Sequence, residues 1–174
     1  MRRPMIPTVM LILALTALAA CSSDASDGQI APSAPAFARA GTALPFNGKV
    51  EASETEVYQP ETNSNLVHIQ GTGTATHLGR FTFVSVFELD LETLTGTQQS
   101  ILTAANGDLI TATVVARGIP SDDGLTVRTV ENATITGGTG RFAGASGSYL
   151  LQRVIIGATG VSSGSLEGTI NLNK

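Results

Sequence analysis

One run of twelve residues, 81–92, constrains the fold of this chain more than any other segment. Apolar side chains occupy most of its odd-numbered positions: Phe81, Phe83, Phe87, Leu89 and Leu91. The even-numbered positions end in three carboxylates: Glu88, Asp90 and Glu92. Successive side chains of a β-strand point to opposite faces. The run therefore predicts a strand with its odd positions in a core and its carboxylates in water.

A second segment predicts a hairpin. Asn106 and Gly107 stand between the alternating runs 101–105 and 108–114. A two-residue type I′ turn needs positive φ at both central positions, which Asn and Gly tolerate best. The stretch 118–124, with a proline and two aspartates, is predicted to be a loop. Further strands are predicted near residues 45–58, 66–77, 124–136, 142–156 and 164–172.

About eight short strands joined mostly by short turns predict an all-β fold. An antiparallel eight-stranded closed barrel is favoured because closure removes exposed sheet edges, and a two-sheet sandwich is the alternative. Glycines inside strand-like runs suit sharp bends or close backbone approach; they are Gly71, Gly73, Gly144 and Gly147. A membrane-spanning barrel is disfavoured, because the eight aromatic residues do not form two girdles.

The N-terminus has the order of a secretory signal. Arg2 and Arg3 precede a short apolar run, and small residues lead to Cys21. The apolar stretch is shorter than the roughly 20 residues of a spanning helix, so residues 1–20 are predicted to be cleaved, with an uncleaved anchor as the alternative. Residues 18–21 resemble a bacterial lipobox, which implies that Cys21 is lipidated and holds the protein at the cell envelope. By resemblance to Gram-negative lipoproteins, Ser22 implies the outer membrane; in a Gram-positive cell, the same signal would leave the protein on the outer face of the plasma membrane.

Residues 21–43 are predicted to be a flexible tether, because small and polar residues dominate them without periodicity. The barrel domain is assigned to residues 44–174. Removing Arg2 and Arg3 from the ten basic residues leaves eight against fourteen acidic ones, a net charge of −6. A nucleic-acid partner is not expected, because it requires a basic footprint.

Residues 136–147, Thr-Gly-Gly-Thr-Gly-Arg-Phe-Ala-Gly-Ala-Ser-Gly, resemble a signature of dirigent proteins and the related allene oxide cyclases. Residues 71–79 are similar to the Gly-x-Gly stretch that those families carry on an early strand. The resemblance implies a calycin-like eight-stranded barrel over residues 44–172 and association into oligomers; the activity does not follow from it, and an isomerase or cyclase is kept as an alternative function. The resemblance assigns no catalytic residue, because what is shared is a set of turn and bend glycines.

Glu131 and His77 are the candidate catalytic residues. Glu131 falls on the more apolar face of residues 125–135, and an inward carboxylate can act as a general acid or base. The alternative is a purely structural role, with Glu131 paired to an inward group from another strand such as Arg153 or Tyr149. His77 follows the apolar face of residues 67–75 and is expected at the barrel mouth, either as a catalytic group or as a hydrogen-bonded rim residue.

Neither a metal site nor a cofactor is predicted. His68 and His77 fall on opposite faces of their strand, and the carboxylates of residues 88–92 suit a solvated face better than a calcium loop. No Gly-x-Ser-x-Gly nucleophile elbow occurs.

Three functions remain open. The preferred one is binding of a small apolar ligand inside the barrel, against Phe81, Phe83, Phe87, Val114, Val127 and Tyr149. The second is an isomerase or cyclase that uses Glu131. The third is a structural or partner-binding envelope protein with a filled barrel. Eight strands allow either a filled interior or one small ligand.

Overall fold

The computed structural model describes residues 42–173, so the predicted signal peptide, Cys21 and nearly all of the predicted tether lie outside the described residues. Nine strands follow one another: β1 (Leu44–Pro45), β2 (Gly48–Gln59), β3 (Ser64–Ala75), β4 (Gly79–Asp90), β5 (Thr95–Ala104), β6 (Leu109–Pro120), β7 (Thr126–Gly138), β8 (Ser146–Ile156) and β9 (Val161–Asn171). A 3-10 turn, Gly140–Phe142, lies between β7 and β8.

Consecutive strands from β2 to β9 pair antiparallel, and β9 also pairs with β2. These eight strands therefore close into an antiparallel barrel, which confirms the predicted all-β fold and excludes the sandwich. The short strand β1 continues the line of β2 along β9. Leu44 lies opposite Ile170, and the Phe46 amide donates to the Gly168 carbonyl oxygen at 2.8 Å.

The alternation predicted for residues 81–92 is confirmed along β4. Phe81, Phe83 and Ser85 are buried, Phe87 is half-buried, and the even-numbered positions between them are exposed. Period two thus places one face of β4 in the barrel interior and the other on its outer wall.

β4 ends at Asp90, two residues earlier than predicted. The Asp90 carboxylate accepts hydrogen bonds from the backbone N–H groups of Glu92 (2.9 Å) and Thr93 (2.7 Å). These local bonds replace ladder bonds and turn the chain toward β5. Leu91 consequently lies in the turn rather than in the strand, and it is half-buried.

The hairpin at Asn106 and Gly107 is confirmed, but its turn is longer than predicted. β5 ends at Ala104 and β6 begins at Leu109, and of the two central residues Gly107 alone has a positive φ, 87°. The Asn106 side-chain amide donates to the Asp108 carboxylate at 2.8 Å. This bond holds Asn106 in a four-residue loop instead of a type I′ turn.

β6 continues to Pro120, so residues 118–120, predicted as loop, belong to the strand. Pro120 lies opposite Val127 at the last position of the ladder. A missing N–H is tolerated at a strand end, which is why the proline does not break the strand earlier.

Gly71 and Gly73 make room for aromatic rings on the inner face of the barrel. A Cβ at Gly71 would lie 2.5 Å from a ring carbon of Phe83, and a Cβ at Gly73 would lie 2.5 Å from a ring carbon of Phe81. The predicted role of these glycines in close approach is therefore confirmed. Gly144 was expected inside a strand but lies in the turn before β8, with φ +69°.

One end of the barrel, called the plugged end, is filled with apolar side chains. Each is at most 1% exposed: Phe46, Leu78, Ile110, Phe142 and Ile170. Phe46 packs edge-on against Tyr149, with ring centroids 5.6 Å apart. The β3–β4 and β5–β6 turns and the 3-10 turn lie at this end.

The substitution Gly73→Ala is predicted to destabilise the barrel by about 1–3 kcal/mol, the usual cost of overpacking a core. The matched control is Gly118→Ala, because a Cβ at Gly118 would meet its nearest neighbour at an ordinary 3.4 Å. Urea unfolding of both variants measures the difference. Equal midpoints for the two variants would contradict the packing role of Gly73.

Candidate functional site

The centre of the barrel brings most of the predicted site together. A cavity of about 10 Å³ is lined by Phe81, Phe83, Val114, Tyr149 and Glu131, among others. Four of the six predicted ligand-lining residues thus share one space with the predicted acid or base. The space itself is small, because about 10–15 Å³ of this measure is what a single water molecule requires.

The other three predicted site residues lie elsewhere. Phe87 is half-buried, and its ring packs against Gly96. A Cβ added to Gly96 would lie 2.5 Å from a ring carbon of Phe87. Val127 is half-buried next to Gly118. His77 is exposed and has a φ of 64° in the turn between β3 and β4. The alternation of inward and outward side chains, from which an inward His77 was predicted, ends with β3 at Ala75, two residues before His77.

Leu78, not His77, occupies the plugged end. Leu78 is 1% exposed, and its carbonyl oxygen accepts a hydrogen bond from Arg141 Nη2 at 2.9 Å. The mouth at which His77 was expected is therefore closed by apolar side chains. The structure does not bring His77 and Glu131 into one site, and a catalytic role for either stays a prediction.

Glu131 points into the barrel, as its position on β7 predicted, and its side chain is 4% exposed. Its Oε1 accepts hydrogen bonds from Arg153 Nε at 2.8 Å, from Arg153 Nη2 at 2.6 Å and from the Thr129 hydroxyl at 3.0 Å. Its Oε2 accepts one from Gln98 Nε2 at 3.2 Å. The carboxylate thus accepts four hydrogen bonds. These contacts match the alternative prediction, in which Glu131 forms a structural ion pair with Arg153.

Arg153 also reaches a second carboxylate. Its Nη1 donates to Glu54 Oε1 and, at 2.8 Å, to the Ser162 hydroxyl. The Arg153 and Glu54 side chains are only 2% and 5% exposed. We call Glu54, Glu131 and Arg153 the charge cluster; Gln98, Thr129 and Ser162 supply its neutral hydrogen-bond partners.

Sequence reasoning missed Glu54. The signal was present, because Val50, Ala52 and Glu54 continue one period-two face along β2. A carboxylate at the end of an apolar face predicts either an exposed strand end or a buried ion pair. Which of the two forms depends on Arg153, which is 99 residues away along the chain.

The charge cluster holds two carboxyl groups and one guanidinium. Burial raises the pKa of Glu54, although the charge and hydrogen bond of Arg153 act in the opposite direction. Burial by itself would lower the pKa of Arg153, but the charges of Glu131 and Glu54 outweigh it and raise that pKa. Burial, together with the Glu131 charge, also raises the pKa of Tyr149. Arg153 is therefore charged and Tyr149 neutral at ordinary pH.

Gln98 leaves one hydrogen-bonding atom unused. It is 3% exposed, and its Oε1 has no hydrogen-bond partner among residues 42–173. Ser85 and Ser100 line the central cavity together with Tyr149 and Glu131. The cavity wall therefore carries hydroxyl groups as well as phenyl rings.

The arrangement suits an ion pair better than proton transfer. A substrate that exchanges a proton with Glu131 would share a carboxylate to which Arg153, Thr129 and Gln98 already donate. Groups of three or more His, Cys, Asp or Glu side chains able to hold a metal are absent from the described part of the chain. Within residues 42–173 no helix has the length and apolarity needed to cross a membrane.

The carboxylates of residues 88–92 have local structural roles. Glu88 accepts a hydrogen bond from the Ser64 hydroxyl, which lowers the pKa of Glu88. Asp90 holds the β4–β5 turn, and the hydrogen bonds from Thr93 lower its pKa. Both residues are exposed, in agreement with the prediction of a solvated face.

The motif of residues 136–147 forms the end of β7, the 3-10 turn and the start of β8. Its Phe142 is fully buried at the plugged end, and none of its residues belongs to the charge cluster. The motif therefore builds the scaffold rather than the interior site.

Removing the guanidinium of the charge cluster is predicted to be strongly destabilising. Arg153→Met leaves two buried carboxyl groups without their cation, and breaking such a pair costs about 3–5 kcal/mol. The matched control is Arg128→Met, because Arg128 is exposed on β7. Urea unfolding at pH 7 measures both. A loss no larger for Arg153→Met than for Arg128→Met would show that the cluster does not stabilise the barrel.

Comparison of the chain with protein-family models, with curated proteins and with solved structures found no match in any of the three.

Proposed function

We propose that this chain is a lipid-anchored module of the cell envelope that binds a partner protein through the outer wall of a filled β-barrel. The observation that carries the proposal is the volume of the interior cavity, about 10 Å³. Sites for small molecules measure roughly 300–1,000 Å³. The barrel thus serves as a rigid support whose recognition surface lies outside.

The interior is filled by contacts that resist opening. The Phe81 and Phe83 rings lie directly on the backbone of Gly73 and Gly71. Admitting an apolar ligand between these rings requires moving them against close-packed neighbours. On the other side of the cavity, four hydrogen bonds hold Glu131 in place.

The outer wall offers a surface with the composition of an interface. Val84, Val86, Ile101 and Val115 form what we call the valine wall; three of them are more than half exposed (52%, 51% and 54% for the valines). Val84 lies opposite Ile101 in the β4–β5 ladder. On β5, the uncharged Gln99 lies opposite Val86. Interface centres are depleted of charge, and contiguous exposed apolar surface marks interaction sites.

The anchoring part of the proposal rests on the N-terminal sequence. Residues 18–21 resemble a lipobox, and residues 21–43 have the composition of a tether. A lipid on Cys21 would confine the barrel to a membrane surface, where a partner in the same envelope is available at high local concentration.

A photoreactive amino acid at Gln99 tests the valine wall in intact host cells. We predict a cross-linked adduct with the wild-type wall and its loss in Val84→Asp/Val86→Asp, because buried unpaired carboxylates oppose docking. The adduct mass distinguishes a second copy of this chain, which the dirigent-like resemblance implies, from another envelope protein.

The matched control is Val154→Asp/Ile156→Asp. These two side chains have the same i, i+2 spacing and similar exposure on β8. The control should keep the adduct. Absence of any wild-type adduct, or equal loss in both double variants, would contradict binding through the valine wall.

A second candidate is binding, or isomerase- or cyclase-type conversion, of a small apolar ligand. The specific observation in its favour is that Phe81, Phe83, Val114, Tyr149 and Glu131 share one cavity wall. The resemblance to dirigent proteins and allene oxide cyclases also supports it. In this alternative the rings rotate apart, and Glu131 leaves Arg153 to serve as acid or base.

Native mass spectrometry of the chain purified from its host separates the two candidates. The filled barrel predicts the mass of the lipidated chain and nothing else bound inside it. A co-purifying small molecule at near one-to-one ratio, lost in Phe81→Trp but retained in the outer-wall variant Val84→Asp, would contradict the filled barrel and support the second candidate.

A further inference from the structure

The barrel closes along an uneven seam between its first long strand and its last strand. β2 pairs with β9 only from Gly48 to Ser53, whereas it pairs with β3 along its whole length to Gln59. The last backbone bond of the seam runs from the Glu54 amide to the Gly160 carbonyl oxygen at 2.9 Å. Closure at this end therefore depends on side chains that span the seam.

The charge cluster spans it. Its residues come from consecutive positions around the barrel: Glu131 from β7, Arg153 from β8 and Glu54 from β2, with Ser162 on β9 between the last two. Arg153 lies opposite Gly164 of β9. A Cβ on Gly164 would lie 2.8 Å from Arg153 Cγ, so the glycine allows the arginine to cross β9 and reach β2.

The cluster has one negative charge more than it has positive charge when both carboxyl groups are ionised. An excess charge taken out of water is costly unless it is neutralised. Glu131 accepts four hydrogen bonds, from Arg153, Thr129 and Gln98, that stabilise its ionised form. Glu54 accepts one side-chain hydrogen bond, from Arg153. Glu54 is therefore the carboxyl group that gains most from a proton.

We propose that Glu54 is a proton-binding site of the folded barrel, and that loss of its proton loosens the β2–β9 seam. The proposal is independent of what the outer wall binds. Barrel closure then depends on pH, because the buried charges of the cluster are unbalanced when Glu54 is ionised.

The surroundings of Glu54 support this assignment. Burial raises the pKa of Glu54, and the charges of Glu131 on β7 and Glu56 on β2 raise it further, against the opposing effect of Arg153 on β8. From β3, the residue opposite Glu54 is the uncharged Ile69. From β9, Ser162 contributes a hydroxyl group and no charge.

The sign of the effect follows from linkage. A carboxyl group whose pKa is higher in the folded than in the unfolded chain stabilises the fold fully below its unfolded value and loses this contribution as pH rises through the folded value. The folding equilibrium constant should therefore fall by up to tenfold per pH unit between these two values. Glu54→Gln removes this dependence, because the amide keeps its shape and cannot lose the proton.

Carbon-13 NMR of the full lipidated chain in detergent micelles tests where the proton resides. The side-chain carboxyl resonances are assigned to individual glutamates by through-bond correlation to the backbone and followed from pH 4 to pH 9. We expect Glu54 to titrate above the ordinary range of glutamate, because burial raises its pKa. Titration of Glu54 in the ordinary range would overturn the proposal.

Amide hydrogen exchange tests the consequence for the seam. The ratio of exchange rates between the wild type and Glu54→Gln at the amides of residues 48–54 cancels the intrinsic effect of pH. We expect a ratio near one at low pH that rises by up to tenfold per unit and then levels off. The control Glu56→Gln should still show a pH-dependent ratio to Glu54→Gln, because it keeps the Glu54 carboxyl group. A ratio that does not change with pH would overturn the link between Glu54 and the seam. If Glu54→Gln fails to fold, the wild-type titration remains decisive.

Discussion

Arg153 is the residue on which the closed barrel most depends. Its guanidinium lies inside the barrel, crosses β9 over Gly164, and bonds to a carboxyl group on each side. A buried arginine between two carboxyl groups is not a strong source of net stability, because desolvation offsets much of the attraction. Its structural effect is to specify which strands meet, since each group becomes costly when its partner is absent.

The charge cluster is one of three layers of side chains that fill the barrel interior. Toward the plugged end, apolar side chains fill the barrel around Phe46 and Phe142. In the middle, Phe81 and Phe83 pack on two glycines. Beyond them, the charge cluster occupies the space near the β8–β9 turn. The central cavity between these layers measures about 10 Å³, which supports the proposal that the binding surface lies on the outer wall.

Much of the fold was predictable because period-two alternation is a local property. It identified β4 and the hairpin at Asn106, and it placed Glu131 inside with Arg153 as a possible partner. The position of His77 was not predictable from alternation, because a positive-φ turn ends the strand before it. Whether the interior is filled depends on the register of neighbouring strands, such as Gly71 opposite Phe83. The burial of Glu54 depends on Arg153, which is 99 positions away along the chain. Neither the filled interior nor the burial of Glu54 can therefore be predicted from the local sequence.

The barrel interior is filled, and Arg153 joins Glu131 to Glu54 across the seam. A high-resolution crystal structure of the chain purified from its native host is the decisive test. We expect it to show the guanidinium between the two carboxyl groups and, between the Phe81 and Phe83 rings and Tyr149, density for at most about one water molecule. Elongated non-protein density between the rings, with Arg153 turned away from Glu131, would contradict it.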